Sequence, residues 1–411
     1  MKTYYPPPDK SITLRALLLG AIAAGRTVIK NPLFCADTAA AINCLRALGV
    51  RLSVSKDQIC VQGGGHYGLS RPAAPLRAGE AGAVARLLAG ILSGQGFPSE
   101  ITGAPGLLRR PMVRVTEPLA LMGARVTARG GRLPLKIKPA ALKGIAYTMP
   151  MASAQVKSAI LLAGLYAAGK TVIKEPVSSR DHTERLLKHF GARLSRRGRA
   201  ITLIPGPLKG AAVSVPGDIS AAAPFIAAAL LSSRTLLVKN VGLNPTRLGL
   251  IKTLKKMGAS FKISEAGGGP ELIGDILVRP AKLKGISVAA AEVPAMIDEL
   301  PLLAVLAAAA EGKTVIHGAG ELRHKESDRI KSTLALLAAI GAAARYRGGT
   351  LEITGPARFQ GGTADTFNDH RIAMAAAAAG LPAETPLRII NPGCVAKSYP
   401  DFFSEFKKIF L

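Results

Sequence analysis

Apolar and polar positions along the chain alternate between a helical period and a strand period, and the alternation recurs. An apolar helix-length run ends in Ala and Gly. A β-branched run follows and stops at Asn, Gly or Pro. The pattern is plainest in Gly25-Arg26-Thr27-Val28-Ile29-Lys30-Asn31-Pro32 and in Gly169-Lys170-Thr171-Val172-Ile173-Lys174-Glu175-Pro176. Weaker copies begin at Gly96, Ser233, Gly312 and Glu384. A second mark follows the strand, a helix that closes on Gly before a new strand. Examples are Leu48-Gly49-Val50, Met122-Gly123-Ala124, Phe190-Gly191-Ala192, Met257-Gly258-Ala259 and Ile340-Gly341-Ala342. Gly at that place predicts the left-handed residue that ends a helix. The copies lie roughly 65–80 residues apart, longer than a solenoid repeat and long enough for two helices and several strands. Six copies predict two domains of three βαβαββ-type units each, an α/β fold. The runs over 160–167 and 221–231 are apolar on every side, which predicts helices buried all round.

Composition narrows the class. The chain has 411 residues, more than one ordinary core, and is 48% hydrophobic, enough to fold throughout. No apolar run reaches a membrane span, and Met1-Lys2-Thr3-Tyr4-Tyr5-Pro6 has no signal-peptide core, so the expected location is cytoplasmic. Cys35, Cys44, Cys60 and Cys394 form no CxxC pair; they read as free thiols and offer no metal site. The net charge of +28 first suggests nucleic acid. There is no Trp, however, and no basic run interleaved with aromatics to make a stacking platform. The charge is read instead as a field that attracts small anions, with no nucleic-acid partner.

Charged clusters then stand out against the apolar background. Lys325-Glu326-Ser327-Asp328-Arg329 precedes the apolar run 330–340, and Asn368-Asp369-His370-Arg371 precedes 372–379. A solvated first turn with i,i+4 ion pairs is the bland explanation. Cations at a helix start oppose the helix dipole, so the pair of clusters predicts helix N-termini turned toward a common anion. Lys10 and Arg15 sit near the start of a helix over 14–24, which Asp9 or Ser11 would cap. Gly79-Glu80-Ala81-Gly82 leads into a helix from Ala83, and Arg109-Arg110-Pro111 opens another with Pro at its first position. Ser153 would cap the run 159–168, and Ser178-Ser179-Arg180-Asp181-His182 leads into a further helix. Asp298-Glu299 interrupts the apolar stretch 293–310, where adjacent carboxylates are costly unless paired or at work. Phosphate-binding P-loop, dinucleotide, HExxH and nucleophile-elbow motifs are all missing. The residues thus predict an enzyme that binds two small polyanions without metal, cofactor or covalent nucleophile.

These motifs, in this order, resemble the 3-phosphoshikimate 1-carboxyvinyltransferase (EPSP synthase) family of enolpyruvyl transferases. Asp9-Lys10-Ser11 with Arg15 matches the family's DKS…R. Residues 79–86 match its GNxGTxxR loop, Arg109-Arg110-Pro111 its RRP, and Ser153-Ala154-Gln155-Val156-Lys157-Ser158 its SAQVKS. Residues 179–185 match SRDHTER, Ile297-Asp298-Glu299 matches IDE, and the two charged clusters match KESDR and NDHR. Residues 394–402 match CxxKS(Y/F)PDF. The resemblance implies a two-domain inside-out α/β barrel with three repeats per domain and the active site in the interdomain cleft. The implied domains are 9–216 and 217–411, joined by residues 1–8. The implied reaction transfers the enolpyruvyl group of phosphoenolpyruvate to the 5-hydroxyl of shikimate 3-phosphate and releases phosphate, in a monomer of the shikimate pathway. By the same resemblance Lys10, Ser11, Arg15, Ser153, Ala154, Gln155, Ser179 and Lys325 would hold shikimate 3-phosphate. Lys10, Gly82, Arg110, Arg329, Arg371 and Lys397 would hold phosphoenolpyruvate, while Asp298 and Glu326, with Lys10, would carry the catalysis. The sister transferase acting on UDP-N-acetylglucosamine carries a Cys ahead of its Arg-Pro segment; residues 104–109 contain none. The alternatives are a divergent enolpyruvyl transferase with another phosphorylated acceptor and a basic nucleic-acid-binding module.

Three positions depart from the family pattern. Pro8 stands for Gly, Glu80 for Asn, and Ala83 for Thr. Glu80 is expected to pair with Arg86 or Arg110 and to oppose an anion in the phosphoenolpyruvate position. The same repulsion would weaken inhibition by glyphosate, for which Gly82 leaves room.

Overall fold

The computed structural model describes residues 1–267 and 269–411. They divide into two compact units. One, here the N-unit, holds Pro8–Val215 and Gly269–Glu271; the other, the C-unit, holds Met1–Pro7, Pro216–Gly268 and Leu272–Leu411.

Each repeat of the N-unit runs through the same series. A short strand, Leu76–Arg77, leads into the helix Gly82–Ser93, and the strand Ser99–Thr102 returns parallel to the first. After the helix Val113–Leu121, the hairpin Arg125–Arg129 and Arg132–Lys138 completes the sheet. The series recurs as Ala146–Thr148, helix Ala154–Gly164, Thr171–Lys174, helix His182–His189, and the hairpin Arg193–Arg197 and Ala200–Ile204. The repeat that opens with helix Lys10–Ile22 takes its first strand from the far end of the unit. Leu208–Lys209 and Ala212–Ser214 both pair in parallel with Ala23–Lys30, with Leu208 opposite Ala23 and Val213 opposite Ile29. The unit thereby closes on itself.

The strands follow the two-residue period of the sequence. In Arg132–Lys138, Leu133, Leu135 and Ile137 turn inward while Arg132, Lys136 and Lys138 face water. The helix in the middle of each repeat has no polar face and is buried on nearly all sides, as Ala154–Gly164 and Ile219–Leu231 show. The five glycines predicted to end helices have φ between +75° and +99°, the left-handed region that an L side chain resists.

In the C-unit the first strand again comes from elsewhere in the chain. Lys2–Tyr4 lies parallel to Leu236–Gly242, with Tyr4 opposite Val238. The last repeat, with strands Gly362–Asp365 and Leu387–Ile390, lacks the hairpin and ends in the helix Phe402–Phe410. Tyr4 stacks on Phe225 at 3.8 Å, and Phe225 meets Phe402, Phe406 and Phe410 from the terminal helix. The Tyr4 hydroxyl lies 3.1 Å from that of Tyr399. Burial pushes the Tyr4 phenol well up, with Tyr399 adding to it. The four cysteines are free, and among the described residues no helix is long and apolar enough to cross a membrane.

Several element boundaries differ from the sequence reading. The first helix begins at Lys10 because Asp9 caps it, accepting the Ile12 amide at 2.9 Å. The helix capped by Ser153 likewise begins earlier, at Ala154. Arg109-Arg110-Pro111 does not open a helix: it links the short helix Pro105–Leu108 to Val113–Leu121. There the Met112 amide bonds Gly131, outside the helix, at 2.8 Å. Asp298 and Glu299 lie in the turn between the 3-10 helix Ala290–Ala295 and the helix Leu300–Ala309. Pro294 and Pro301 interrupt the apolar stretch on either side of them.

Tyr4→Ala should remove about 3–5 kcal/mol of packing from the C-unit. Amide hydrogen exchange checks this. Exchange should quicken in Leu236–Gly242 and Phe402–Phe410 and stay unchanged in the core of residues 8–215; equal quickening everywhere would contradict the local origin.

Candidate active site

In the N-unit most of the sequence-predicted residues lie at the starts of three helices, while Arg110 lies in the link before Val113–Leu121 and Ser179 in the loop before His182–His189. Lys10 opens Lys10–Ile22, and its ammonium lies 2.9 Å from Asp37 Oδ2. Arg15 is buried one turn further on. Its Nε donates to Thr183 Oγ1 at 2.7 Å, Nη1 to the Ser11 carbonyl at 3.0 Å, and Nη2 to Ser158 Oγ at 3.4 Å. All three partners are neutral oxygens, and Arg15 makes no ion pair among the described residues. Burial pulls its pKa down to about 10, while Asp9 and Glu184 oppose that from longer range. A desolvated cation with no carboxylate in direct contact, among the described residues, is the electrostatic signature of a place made for an anion.

Ser153 caps Ala154–Gly164 by accepting the Val156 amide at 3.4 Å. Gln155 Oε1 accepts from Arg86 Nη1 at 2.7 Å, and Arg86 Nη2 donates to the Pro111 carbonyl at 3.1 Å. Gly82 begins its helix beside two guanidinium groups. A Cβ there would stand 2.7 Å from Arg86 Nη1 and 3.0 Å from Arg110 Nη1. The missing side chain is what lets both cations approach the helix start. Ser179 is buried, and both its N–H and its hydroxyl donate to Glu175 Oε1. Glu80 does not pair with Arg86 or Arg110 as expected. Its Oε1 accepts the Gly106 amide at 3.1 Å, while the Gly79 carbonyl accepts the Ala104 amide at 2.8 Å. Glu80 thus ties the loop to the short helix Pro105–Leu108, a couple of residues before Arg110.

In the C-unit the two charged clusters meet around Arg329. This guanidinium is 1% exposed and donates to Asp298 Oδ1 at 3.0 Å, Glu326 Oε2 at 2.7 Å and Asp369 Oδ2 at 2.7 Å. Burial pulls the Arg329 pKa down, but the three carboxylates outweigh it and raise it far above the ordinary value. Asp369 responds inversely. Burial pushes its carboxyl up, and Arg329 overcomes that and holds it low.

Both helix starts, predicted to turn toward a common anion, have their first amides capped by their own aspartates. Asp328 Oδ1 accepts from Ile330 and Lys331, and Asp369 Oδ1 accepts from Arg371. The cations themselves are left to meet an anion. Arg371 Nη1 donates to the Ser220 carbonyl at 2.9 Å, and Lys397 to the Asn368 carbonyl at 3.2 Å. Neither makes an ion pair among the described residues. Phe367 and Asn368 hold φ of +51° and +56°, two left-handed residues in a row, a strained turn that aims the Asn368 carbonyl at Lys397. Lys325 follows the 3-10 helix Ala319–His324 as its half-buried, extended C-cap residue.

Sequence reasoning missed the residues that hold these groups. Arg247 Nη2 reaches Asp218 Oδ1 at 3.2 Å and Ser220 Oγ at 2.6 Å, and Ser220 donates to Glu299. Ser220 therefore joins Glu299 to the carbonyl that steadies Arg371. Glu299 carried a signal, as a charge beside an apolar run. Arg247 and Ser220 carried none in the pattern of the chain.

An enolpyruvyl transferase from Streptomyces tendae, NikO, aligns with TM-score 0.79 over 100% of this chain and 94% of its own at 18% identity, which shows a shared fold. An EPSP synthase structure from Acinetobacter baumannii aligns with TM-score 0.88 and 41% identity, over 100% of this chain and 95% of that one. The sequence model for EPSP synthase (3-phosphoshikimate 1-carboxyvinyltransferase) matches residues 3–406. The 3-phosphoshikimate 1-carboxyvinyltransferase of Desulforudis audaxviator is 46% identical over 404 residues, 96% of this chain and 94% of the relative. That of Limosilactobacillus fermentum is 45% identical over 410 residues, 98% and 95% respectively. The chain has the fold of the enolpyruvyl transferases. It belongs to the EPSP synthase family.

Arg15→Met should keep or raise the melting temperature, because it removes a desolvated charge without a counter-ion. The burden it relieves is present at every pH below about 10, where Arg15 is charged in the folded chain. Inorganic phosphate should stabilise the wild type more than the variant. Calorimetry in both buffers checks this; a large loss of melting temperature in Arg15→Met would show the guanidinium to be a structural strut.

Proposed function

We infer that the protein transfers the carboxyvinyl group of phosphoenolpyruvate to the 5-hydroxyl of shikimate 3-phosphate, releasing phosphate. Membership of the family supports this reading, and one observation carries it. Among the described residues each unit holds cations that lack a carboxylate partner: Arg15 in the N-unit, Arg371 and Lys397 in the C-unit. Two anionic substrates supply the missing charge.

Shikimate 3-phosphate is held by Lys10, Ser11, Arg15, Ser153, Ala154, Gln155, Ser179 and Lys325. Phosphoenolpyruvate is held by Lys10, Gly82, Arg110, Arg371 and Lys397, with Arg329 adding its field. The 5-hydroxyl oxygen attacks C2 of phosphoenolpyruvate and gives up its proton to the Asp298 carboxylate, while C3 gains the proton that Glu326 carries as the acid. In the elimination the C3 proton returns to Glu326, the C2–O bond to phosphate breaks with the Asp298 proton going to the leaving group, and the double bond is restored. Arg329 fixes both carboxyl groups, at 3.0 and 2.7 Å. Preorganised in this way, they need no rearrangement as charge moves. The enzyme is read as a cytoplasmic monomer, which light scattering of the purified protein tests.

Phosphate release from the two substrates, followed by a coupled assay, tests the reaction itself. Asp298→Ala should lower kcat about a hundredfold or more while shikimate 3-phosphate still binds by calorimetry. Near-normal turnover would remove Asp298 from the chemistry.

Glu80 gives a second test. Because its carboxylate caps Pro105–Leu108, Glu80→Ala should loosen the segment that carries Arg110. KM for phosphoenolpyruvate should rise severalfold with kcat little changed. A fall in that KM would mean that the carboxylate repels the ligand after all.

A further inference from the structure

Beneath the turn Ser178-Ser179-Arg180 the N-unit buries a group of charges. Lys157, on the helix Ala154–Gly164, is fully buried. Its ammonium lies 2.7 Å from Glu184 Oε1, 3.1 Å from Glu175 Oε2 and 3.3 Å from the Ser179 carbonyl. The Glu175 and Ser179 oxygens accept hydrogen bonds from it, and Glu184 adds an ion pair. Glu175 is 1% exposed, and through its other oxygen accepts the Ser179 N–H at 3.1 Å and the Ser179 hydroxyl. Arg196 approaches from the rim, 3.8 Å from Glu175 and 4.0 Å from Glu184, and gives a 2.6 Å bond to Ser178 Oγ. Two cations and two carboxylates cancel.

A buried ion cluster is a poor way to stabilise a core, since apolar side chains of similar volume serve as well. What this cluster does is order a turn. The N–H, hydroxyl and carbonyl of Ser179 all bond to Glu175 or Lys157. The arrangement continues into the rest of the half-site. Ser158, next to Lys157, donates to the Ala154 carbonyl at 2.6 Å and lies 2.6 Å from Thr183 Oγ1, which in turn accepts from Arg15. Without Lys157 two buried carboxylates would face each other under a turn that has to receive an anion.

We propose that Lys157 and Glu175 are positioning residues for the phosphate of shikimate 3-phosphate: Lys157 anchors the Glu175 carboxyl group, and Glu175 fixes the Ser179 backbone in the arrangement that meets the ligand. The proposal rests on the function inferred above. Glu175 holds the Ser179 hydroxyl until the phosphate arrives; the hydroxyl then turns to the ligand while the amide bond to Glu175 stays.

Steady-state kinetics and calorimetry on three variants test this. Lys157→Met and Glu175→Gln should raise KM and Kd for shikimate 3-phosphate about tenfold, leaving KM for phosphoenolpyruvate within about twofold. Glu184→Gln should leave both KM values within about twofold, since Glu184 touches Lys157 and not Ser179. A purely structural role would lower the melting temperature of all three and move both KM values together. An unchanged KM for shikimate 3-phosphate in Glu175→Gln would overturn the proposal. So would an equal rise in Glu184→Gln. If Lys157→Met fails to fold, the contrast between the two glutamine variants still decides. If the wild type releases no phosphate from the two substrates, the functional reading has failed, and stabilisation by inorganic phosphate replaces KM. Weaker stabilisation in Glu175→Gln than in Glu184→Gln would then support the positioning role, and equal stabilisation would refute it.

Discussion

One guanidinium organises the chemistry of the C-unit. Arg329 is withdrawn from water and faces Asp298, Glu326 and Asp369, each from a different stretch of chain. A lone cation in that place would be too costly to keep, and three clustered carboxylates without it would repel one another. Together they fix the turn before Leu300–Ala309 and the starts of Arg329–Ala339 and His370–Ala379. The position of Arg371 follows, because its amide is held by the same Asp369 that Arg329 holds.

The N-unit solves the opposite problem. Its repeat has the same order of strands and helices, yet Arg15 is buried among hydroxyls and a carbonyl with no acid beside it. The C-unit keeps its buried cation saturated and places its unsaturated ones, Arg371 and Lys397, nearer the surface. A shared scaffold thus carries two charge designs. One holds acids ready, and the other waits for an anion.

Much of this was legible in the chain. The glycines that end helices were readable because an L side chain resists their backbone angle, so composition and geometry coincide at Gly49, Gly123, Gly191, Gly258 and Gly341. The charged clusters were legible because they interrupt apolar runs. Partner choice was not. Glu80 bonds a backbone amide that sequence cannot display, and Arg109-Arg110-Pro111 resembled a helix start although Pro105 already begins the helix there. Lys157 stood in the sequence only as part of the motif over 153–158, with no signal of its own. Its partners, Glu175 and Glu184, come from two other elements and meet it only in the fold.

The C-unit takes its first strand from the beginning of the chain and its last helix from the end. On a ribosome these pieces emerge at opposite times. Residues 8–215 can collapse while the remainder is still being made, for their sheets close among themselves. Lys2–Tyr4 must wait for Leu236–Gly242, and Tyr4 has no aromatic shell until Phe402, Phe406 and Phe410 have left the exit tunnel. Throughout that interval Lys2–Tyr4 is an unpaired edge strand whose Tyr4 ring lacks its packing partners, and a chaperone holding the chain during synthesis would find a long-lived target there.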